Sequence, residues 1–402
     1  MKSAFVNAEI FPIEGDVIEN GTLIIENEKI VAVGSDLSTD GCKVIDCSGK
    51  VITPGFIDPH SHVGLFQEAV SSGSAASSDG NEQTDSITPY LRSMDAIFPE
   101  DMGFDDARRG GVTTMGITHG SSNAIGGQVC CIKSKGIVVD DMVIREPAGV
   151  KFALGENPKG SGMRNKRVPQ TRMAIAYIIR KAFYEAIDYG QTWEDYNTKV
   201  ELAKEDPEKK DPIPRPAYDM GKEVLLKLLR GEIPARCHSH RADDIRTAIR
   251  LADEFGFRLV IDHATESFKI KDVILEKGLP VVVGPSFGAR TKSELINKSL
   301  TTPGIMMKAG AMVSITTDAP VIPIDGLRDV VVMAIREGLP KERALETITI
   351  NPAKVLEVDQ RVGSLKAGKD ADFLIFNGDP FDIKNRVLKT YIDGELVYEY
   401  TE

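Results

Sequence analysis

Six histidines occur in the 402-residue chain, and the spacing of two of them could bind a metal ion. His60 and His62 end the apolar run VITPGFIDPHSH, which is typical of a β-strand. Because side chains two residues apart on a strand point to the same side, the pair can chelate one divalent ion. Taken alone, the pair can also be two polar residues at a strand exit.

Three further polar residues occupy similar positions late in apolar runs. His238 lies in ARCHSH, His263 in RLVIDHAT and Asp318 in AMVSITTDA. Imidazole and carboxylate are the ligands that suit zinc, iron and manganese. Since the carboxyl ends of parallel strands meet at one face of an α/β barrel, the sequence predicts a metal site where these residues converge.

The elements that would position these residues follow a strand and helix alternation. Apolar, strand-like runs alternate with amphipathic helical stretches through the middle of the chain, which predicts βα units around a parallel sheet. About eight strands can be counted, so the predicted fold is α/β, a (β/α)₈ TIM barrel. An insertion at about 157–222 interrupts the rhythm after a strand, where barrels place lids.

Composition and charge narrow the class of protein. The chain has 49 Lys plus Arg against 60 Asp plus Glu, a net charge of −11, which opposes contact with nucleic acid or an anionic membrane surface. The five cysteines lack the paired spacing of a structural zinc site and are expected to be reduced, buried thiols. The N-terminal segment does not resemble a signal peptide, so we expect a cytoplasmic protein.

Longer motifs resemble the amidohydrolase superfamily. They are PGFIDPHSH, a strand-end His, a later DH, TTDAP and the tail VGSLKAGKDADFLIFNGDP, so the resemblance runs nearly end to end. The stretch ARCHSHRADDIRTAIRLADEFGFRLVIDHATE is similar to the branch with imidazolonepropionase-like and Xaa-Pro or Xaa-Arg dipeptidase-like enzymes. The resemblance implies a barrel at 55–355 and a small β-sandwich made from residues 1–54 and 356–402, in keeping with β patterns at both ends.

The resemblance also implies a ligand set. His60, His62 and Asp318 would bind the more buried metal, and His238 and His263 the more exposed one. Zinc is expected in both positions, with iron or manganese as alternatives. Asp318 would also take the proton from the attacking water and deliver it to the leaving group.

A bridging ligand between the two metals is expected at Lys151, in the strand-like run AGVKFALGE. In binuclear members of the superfamily, a carbamylated lysine on the fourth strand has this role. A lysine inside an apolar strand tends to lose its proton because burial disfavours the ammonium, and carbamylation requires that loss. The alternative is a lysine that reaches solvent or pairs with Glu156, which would leave a mononuclear site.

The remaining candidates are substrate contacts. His240 could complete a second HxH pair with His238, but by comparison with related dipeptidases we expect it to hydrogen-bond the substrate carbonyl. His119 lies in a glycine-rich loop that can approach a substrate or form only a tight turn. Asn157 follows the fourth strand, and Arg164 and Arg172 belong to a basic group in the insertion that could bind a carboxylate or be solvated surface.

The predicted function is metal-dependent hydrolysis of an amide or cyclic amide C–N bond in a small molecule. A dipeptidase of the Xaa-Pro or Xaa-Arg type is the alternative enzyme, and a non-catalytic scaffold is a remote one. Ring deamination is disfavoured because His238 is followed by Ser239, His240 and Arg241, without the HxxE glutamate of deaminases. The family is often oligomeric, so a homo-oligomer is an open possibility.

Overall fold

The computed structural model describes residues 2–68, 78–205 and 212–401. The first strands are β1 (Lys2–Ile10), β2 (Ile18–Glu26), β3 (Lys29–Gly34), β4 (Lys43–Asp46), β5 (Val51–Pro54), β6 (Phe56–Ser61), β7 (Val112–Ile117), β8 (Ile125–Gln128) and β9 (Cys130–Lys133). The later strands are β10 (Val143–Arg145), β11 (Val150–Ala153), β12 (Ala235–Ser239), β13 (Leu259–His263), β14 (Val281–Val283), β15 (Val313–Ile315), β16 (Phe373–Phe376), β17 (Val387–Ile392) and β18 (Glu395–Glu399). The α-helices are α1 (Met102–Gly110), α2 (Val139–Met142), α3 (Glu156–Arg164), α4 (Arg172–Glu205), α5 (Met220–Leu229), α6 (Ala242–Phe255), α7 (Lys271–Glu276), α8 (Thr302–Lys308), α9 (Leu327–Arg336) and α10 (Ile350–Val355).

Both ends of the chain enter one sheet. Within the described residues, strands β1–β5 and β16–β18 form an eight-stranded sheet in which β16 pairs antiparallel with β5. Its buried face holds an aromatic cluster, with ring centroids of Phe5 and Phe373 4.9 Å apart and those of Phe373 and Tyr391 4.4 Å apart. Such contacts add to the free energy gained from burying the rings, so the two chain ends stabilise each other.

The middle of the chain is a mixed α/β structure, as expected, but its strands do not form one closed sheet. In the described ranges, β6 and β7 are parallel partners in a four-stranded sheet that also holds β9 and β10. Strands β11–β15 are parallel neighbours in a six-stranded sheet, with β8 antiparallel at its edge. The predicted βα alternation is therefore confirmed, whereas a continuous eight-stranded ladder is not formed.

Helix α6 shows how the sequence sets a crossover between two strands. Its first turn carries Asp243 and Asp244, whose negative charges are stabilised by the positive end of the helix dipole. Gly256, with a left-handed φ of 75°, caps the C-terminal end of the helix. One face buries Ile245, Ala248 and Ile249 against the main core. Because this face packs on the core, the helix connects β12 to β13, and the two strands pair in parallel.

The predicted insertion contains the long helix α4, and its residues 206–211 lie outside the described residues. Helix α4 buries Ile179 and Phe183 in the main core, where the Phe183 ring stacks 5.1 Å from that of Phe257. The helix is thus part of the main core, where Phe183 also stacks on Phe152 of β11, a role that the lid prediction did not include. In the part of the chain that is described, no helix combines the length and apolar character needed to cross a membrane.

A buried ion cluster joins the end sheet to the rest of the protein. Lys133 at the end of β9 lies 2.7 Å from Asp370 and 3.1 Å from Asp372, and it also contacts Asp393. These carboxylates raise the pKa of Lys133 although burial lowers it. The lysine therefore stays charged and holds three acidic side chains of the C-terminal segment.

We expect Lys133→Met to destabilise the fold by about 3–5 kcal/mol, because it leaves the buried Asp372 carboxylate without its cation, whereas Asp370 keeps Lys29 and Arg361. The measurement is the free energy of unfolding in denaturant. The matched control is Lys135→Met, since Lys135 pairs with a mostly exposed Glu395 and its loss should cost less than about 1 kcal/mol. Equal effects of the two variants would contradict a structural role for the cluster.

The cysteines agree with the expectation of reduced thiols. All five are free, four of them are buried and Cys42 is half-buried. Burial raises the pKa of the Cys237 thiol to about 12, which makes it a poor nucleophile.

Candidate metal centre

Five of the six histidines lie together where strands β6, β12 and β13 end. The His60 ring centroid lies 4.8 Å from that of His263, which lies 4.2 Å from that of His238. His62 and His240 flank the group, with centroids 5.4 Å from His60 and 4.6 Å from His238. Parallel pairing of β12 with β13 brings His238 and His263 together, and His60 joins them from β6, a strand of the other central sheet.

All five imidazole rings present the same nitrogen, Nδ1, to the surrounding protein. Each Nδ1 faces a group in the surrounding protein, and the other ring nitrogen, Nε2, is left toward the cluster. The Nδ1 partners are Asp262 Oδ2 for His60, Thr118 O for His62, Ser121 Oγ for His238, Thr265 Oγ1 for His240 and Gly284 O for His263. The backbone carbonyls at His62 and His263 can only accept, so they select the tautomer with a proton on Nδ1 and a lone pair on Nε2, the form that binds a metal.

Burial keeps four of these rings neutral, which is the form that binds metals. Burial is the main reason why the pKa values of His60, His238 and His263 are well below the usual range for histidine. Burial also lowers the pKa of His240 to about 3. The Nε2 atom of His263 is buried and has no hydrogen-bond partner in the described protein. An orphaned acceptor of this kind costs free energy unless a ligand satisfies it.

Asp318 completes the group from beyond the end of β15. Its Oδ1 lies 3.1 Å from His62 Nε2 and 3.5 Å from His60 Nε2. Both Asp318 and His263 have left-handed backbones, with φ values of 55° and 72°. Left-handed conformations in such residues cost about 1–3 kcal/mol each and cluster at functional sites, so the fold holds both side chains against strain.

Lys151, on strand β11, contacts the histidine cluster at His60. Its side chain is fully buried, and Nζ lies 3.0 Å from His60 Nε2, so it does not reach solvent. Burial lowers the pKa of the Lys151 ammonium to about 8. A neutral amine is therefore accessible at this position, as carbamylation requires.

The donor set fits a divalent metal centre. One ring or carboxylate atom from each of His60, His263 and Asp318 lies within 4.8 Å of the others, and the same holds for His238, His240 and His263. Neutral imidazoles with free Nε2 atoms and one carboxylate are suitable ligands for zinc, iron or manganese. His263 belongs to both groups, so the two sets of ligands adjoin each other.

The predicted substrate contacts have different surroundings. Asn157 Nδ2 lies 3.5 Å from His238 Nε2, at the cluster. His119 is buried, but Nε2 accepts the Gly127 N–H and Nδ1 lies 3.2 Å from Gly120 O, so its own loop occupies both nitrogens. Burial lowers the pKa of His119 to about 4. The His119 ring thus braces the glycine-rich loop, and its contact with substrate stays a prediction.

The two arginines do not point freely into the cluster. Arg164 is exposed at the end of α3. Arg172 donates to both carboxylate oxygens of the buried Asp244, with N–O distances from 2.9 to 3.1 Å. Since Arg172 is already bound in a bidentate ion pair, a substrate carboxylate would have to compete with Asp244.

Several residues around the ligands were not singled out by sequence reasoning. Asp58 in β6 accepts the backbone N–H and the hydroxyl of Thr317, at 2.9 and 2.6 Å, and so ties β6 to the segment that carries Asp318. Arg236 in β12 donates to Asp262 Oδ1 at 2.8 Å, and Asp262 Oδ2 lies 3.1 Å from His60 Nδ1. The sequence signal that could have found these residues is a charged side chain inside an apolar strand, as at Lys151.

Asp262 is placed to orient His60, although the present angle between its Oδ2 and His60 Nδ1 is too bent for a good hydrogen bond. We expect Asp262→Asn to weaken metal affinity by roughly 10–100-fold, since it removes the charge that favours a proton on Nδ1. Competition with a metallochromic chelator measures this. The control is Asp253→Asn on the exposed side of α6, where affinity should not change. Unchanged affinity in Asp262→Asn would exclude this positioning role.

Comparison with known proteins identifies the family and agrees with the fold. The profile of the Amidohydrolase family matches residues 232–398. The crystal structure of an amidohydrolase from Thermotoga maritima MSB8 is 41% identical and superposes with a TM-score of 0.91, covering 99% of this chain and 100% of that one. The chain belongs to the amidohydrolase family.

More distant relatives are named for several different activities. Amidohydrolase tasK of Hapsidospora irregularis is 28% identical over 96% of this chain, which spans only 40% of the length of that protein. A 5-methylthioadenosine/S-adenosylhomocysteine deaminase of Bacillus cereus (strain 03BB102) is 26% identical over 93% of this chain and 85% of its own. A prolidase complexed with N-methylphosphonate-L-proline is 18% identical with a TM-score of 0.59, covers both chains fully, and shows the fold alone.

Proposed function

We propose that this protein is a metal-dependent hydrolase that cleaves an amide or cyclic amide C–N bond of a small molecule. The observation that carries the proposal is the shared orientation of the five histidines: each Nδ1 faces the surrounding protein and each Nε2 is turned toward the cluster, where Asp318 lies beside His60 and His62. Membership of the amidohydrolase family supports the same chemistry. Zinc is the proposed metal, with iron and manganese as alternatives.

The residues divide into two sets around the shared centre. His60, His62 and Asp318 would hold the more buried ion, and His238 and His263 the more exposed one. Lys151 would join the sets as a carbamate, a proposal supported by its full burial and its position 3.0 Å from His60 Nε2. Divalent ions held there would make water a better nucleophile and polarise the scissile carbonyl.

Asp318 is the proposed proton carrier. Its Oδ1 lies beside the Nε2 atoms of His60 and His62, so a water at this centre is within reach of the carboxylate. The carboxylate would accept a proton as water attacks the carbonyl carbon and return it to the nitrogen as the C–N bond breaks. His240, with Nδ1 held by Thr265 at 2.8 Å, offers its other nitrogen to the substrate.

The architecture that we propose is barrel-like. Backbone and side-chain bonds join the two central sheets at their edges, with His62 N donating to Ala319 O at 2.9 Å and Val129 N to Gly149 O at 2.9 Å. We assign residues 55–355 to this unit and residues 1–54 and 356–402 to the end domain. The proposed substrate is a small molecule, and net charge opposes nucleic acid and membrane partners. Oligomerisation and a cytoplasmic location also remain part of the proposal.

A dipeptidase is the second candidate function. Solved structures of a prolidase and of a Xaa-Pro dipeptidase share the fold. Asn157 and His240 could contact a peptide carbonyl. Ring deamination stays disfavoured, although relatives are named deaminases. Arg241 stands where the HxxE pattern requires glutamate, and its guanidinium is paired with Asp243.

The experiment that tests the function is hydrolysis before and after chelation of the metal. Purified protein would be assayed on N-acyl amino acids, dipeptides, cyclic amides and adenosine analogues, and we expect turnover in one of the first three groups. Chelation should abolish it, and zinc or manganese with bicarbonate should restore it because the ligands are neutral imidazoles and a carboxylate. Full activity of protein shown to be free of metal would contradict the proposal, and turnover only of adenosine analogues would favour deamination.

A further inference from the structure

The loop after β14 places a buried carboxylate next to the exposed half of the histidine cluster. The Glu294 side chain has no solvent exposure, and its Oε1 lies 3.8 Å from both His238 Nε2 and His240 Nε2. Carboxylates are rarely buried without strong partners. Glu294 has one cationic partner, Lys292 Nζ at 3.2 Å, and its Oε1 still lies beside two imidazole nitrogens at this end of the cluster.

The three histidines nearest Glu294 are prepared as ligands independently of Lys151. Ser121, Thr265 and Gly284 hold the Nδ1 atoms of His238, His240 and His263, at 2.9, 2.8 and 2.8 Å. One ring nitrogen of each histidine lies within 4.8 Å of the other two. The buried Nε2 of His263 lacks a hydrogen-bond partner within the described protein. Together these atoms offer three nitrogens and one oxygen.

The spacing suits one ion. Zinc binds imidazole nitrogen and carboxylate oxygen at about 2.0–2.2 Å, so two donors on one tetrahedral ion lie about 3.4 Å apart. The 3.8 Å separations of Glu294 Oε1 from His238 and His240 are close to that value, but Glu294 is outside the set of three histidines whose ring nitrogens lie within 4.8 Å of one another, so its carboxylate must move inward to join them. Four protein ligands fill a tetrahedral zinc site, so a substrate carbonyl would reach this ion as a fifth ligand.

The backbone is shaped to admit the Glu294 carboxylate. Gly155 has a φ of 92°, and a Cβ at this position would lie 2.6 Å from Glu294 Oε2. Oε2 accepts the Glu156 N–H at 2.9 Å, which orients the carboxylate and leaves Oε1 toward the histidines. Lys292 lies 3.2 Å from Oε1, but its side chain is 30% exposed and can turn to solvent when a metal takes its place.

We infer that His238, His240, His263 and Glu294 form the binding site of the more exposed metal ion, which this chain can hold without Lys151. The inference rests on the proposed function and adds two ligands to it. His240 then acts as a metal ligand instead of a hydrogen-bond donor to the substrate carbonyl. The ligand is a divalent cation that favours imidazole and carboxylate, such as zinc or cobalt.

The test uses Co²⁺ as the probe, because its visible absorption reports the number and type of ligands. Full-length protein freed of metal would be titrated with Co²⁺ in the Lys151→Ala background, alone and with Glu294→Gln or His240→Gln. We expect one ion to bind in Lys151→Ala. Each second substitution should weaken it by at least about 100-fold, since even residues that only orient a ligand contribute roughly 10–100-fold.

The control is Glu266→Gln in the same background. Glu266 is also a buried carboxylate near this cluster, but it accepts bonds from Ala242 N and Asn297, so Co²⁺ affinity should not change. Circular dichroism would establish that each variant is folded, and His240→Gln tests the site independently if Glu294→Gln does not fold. Unchanged affinity and absorption in both variants would overturn the inference alone. Failure of the wild-type protein to bind Co²⁺ would overturn the proposed function as well.

Discussion

Asp318→Asn is expected to lower kcat for C–N bond hydrolysis by roughly 10²–10⁴-fold, the contribution typical of a general acid or base. Asparagine has nearly the same shape as aspartate but cannot accept a proton at neutral pH. The Asp318 carboxylate is the anionic group next to His60 and His62, with Oδ1 3.5 and 3.1 Å from their Nε2 atoms. Steady-state kinetics with the substrate identified by screening measures the effect.

The control for this variant is Asp325→Asn. Asp325 also follows β15 in the chain, but it is partly exposed and pairs with Arg109, so we expect kcat to stay within about twofold. Metal content should be measured for both proteins, because loss of the ion in Asp318→Asn would show that its main role is that of a ligand. A fall of less than about tenfold in kcat would exclude Asp318 as proton carrier.

Lys151→Ala should have the second large effect, a fall in metal content from about two ions per chain to about one. Alanine cannot form a carbamate, so the bridging anion is lost while the histidines keep their orientation. Elemental analysis of protein produced with bicarbonate gives the content. ¹³C NMR after growth with ¹³C-bicarbonate should show a carbamate signal in the wild type that is missing in the variant.

Two further variants make the Lys151 result specific. Lys151→Glu places a carboxylate on the same strand and should retain more metal than alanine, since carboxylate oxygen is also a suitable ligand. Lys159→Ala alters a half-buried lysine of the helix that follows β11, and its metal content should equal that of the wild type. About one ion in the wild type and in Lys151→Ala alike would reject the bridge and favour a mononuclear hydrolase.

The position of the candidate ligands could be predicted from sequence because strand geometry is local. His60 and His62 are separated by two residues at the end of an apolar run, so they share a side of the strand in any parallel sheet. Lys151 was predicted from the family resemblance, and the cost of an ammonium inside an apolar strand supported that assignment. The mixed α/β class also followed from the order of strands and helices, a property of the chain itself.

The roles of neighbouring side chains depend on contacts between distant segments. Arg172 was a candidate for substrate binding from its charge, and only the fold shows that Asp244, 72 residues away, already occupies its guanidinium. His119 similarly bonds to the backbone of its own loop. Sequence patterns cannot reveal such pairing, because a polar residue has the same local signal whether its partner is protein, solvent or substrate.

Residue types and spacing thus determined the ligand inventory, the βα alternation and the family resemblance, since each arises from short-range periodicity or contiguous motifs. Tertiary structure decided which nitrogen of each histidine is free, how the central strands divide between two sheets, and that Glu294 joins the cluster. These properties depend on which atoms meet across long stretches of chain, as with His62 and Asp318, which are 256 positions apart. The physical reason is that burial and hydrogen-bond direction, which set the tautomer of an imidazole and the charge of a lysine, exist only after the chain has folded.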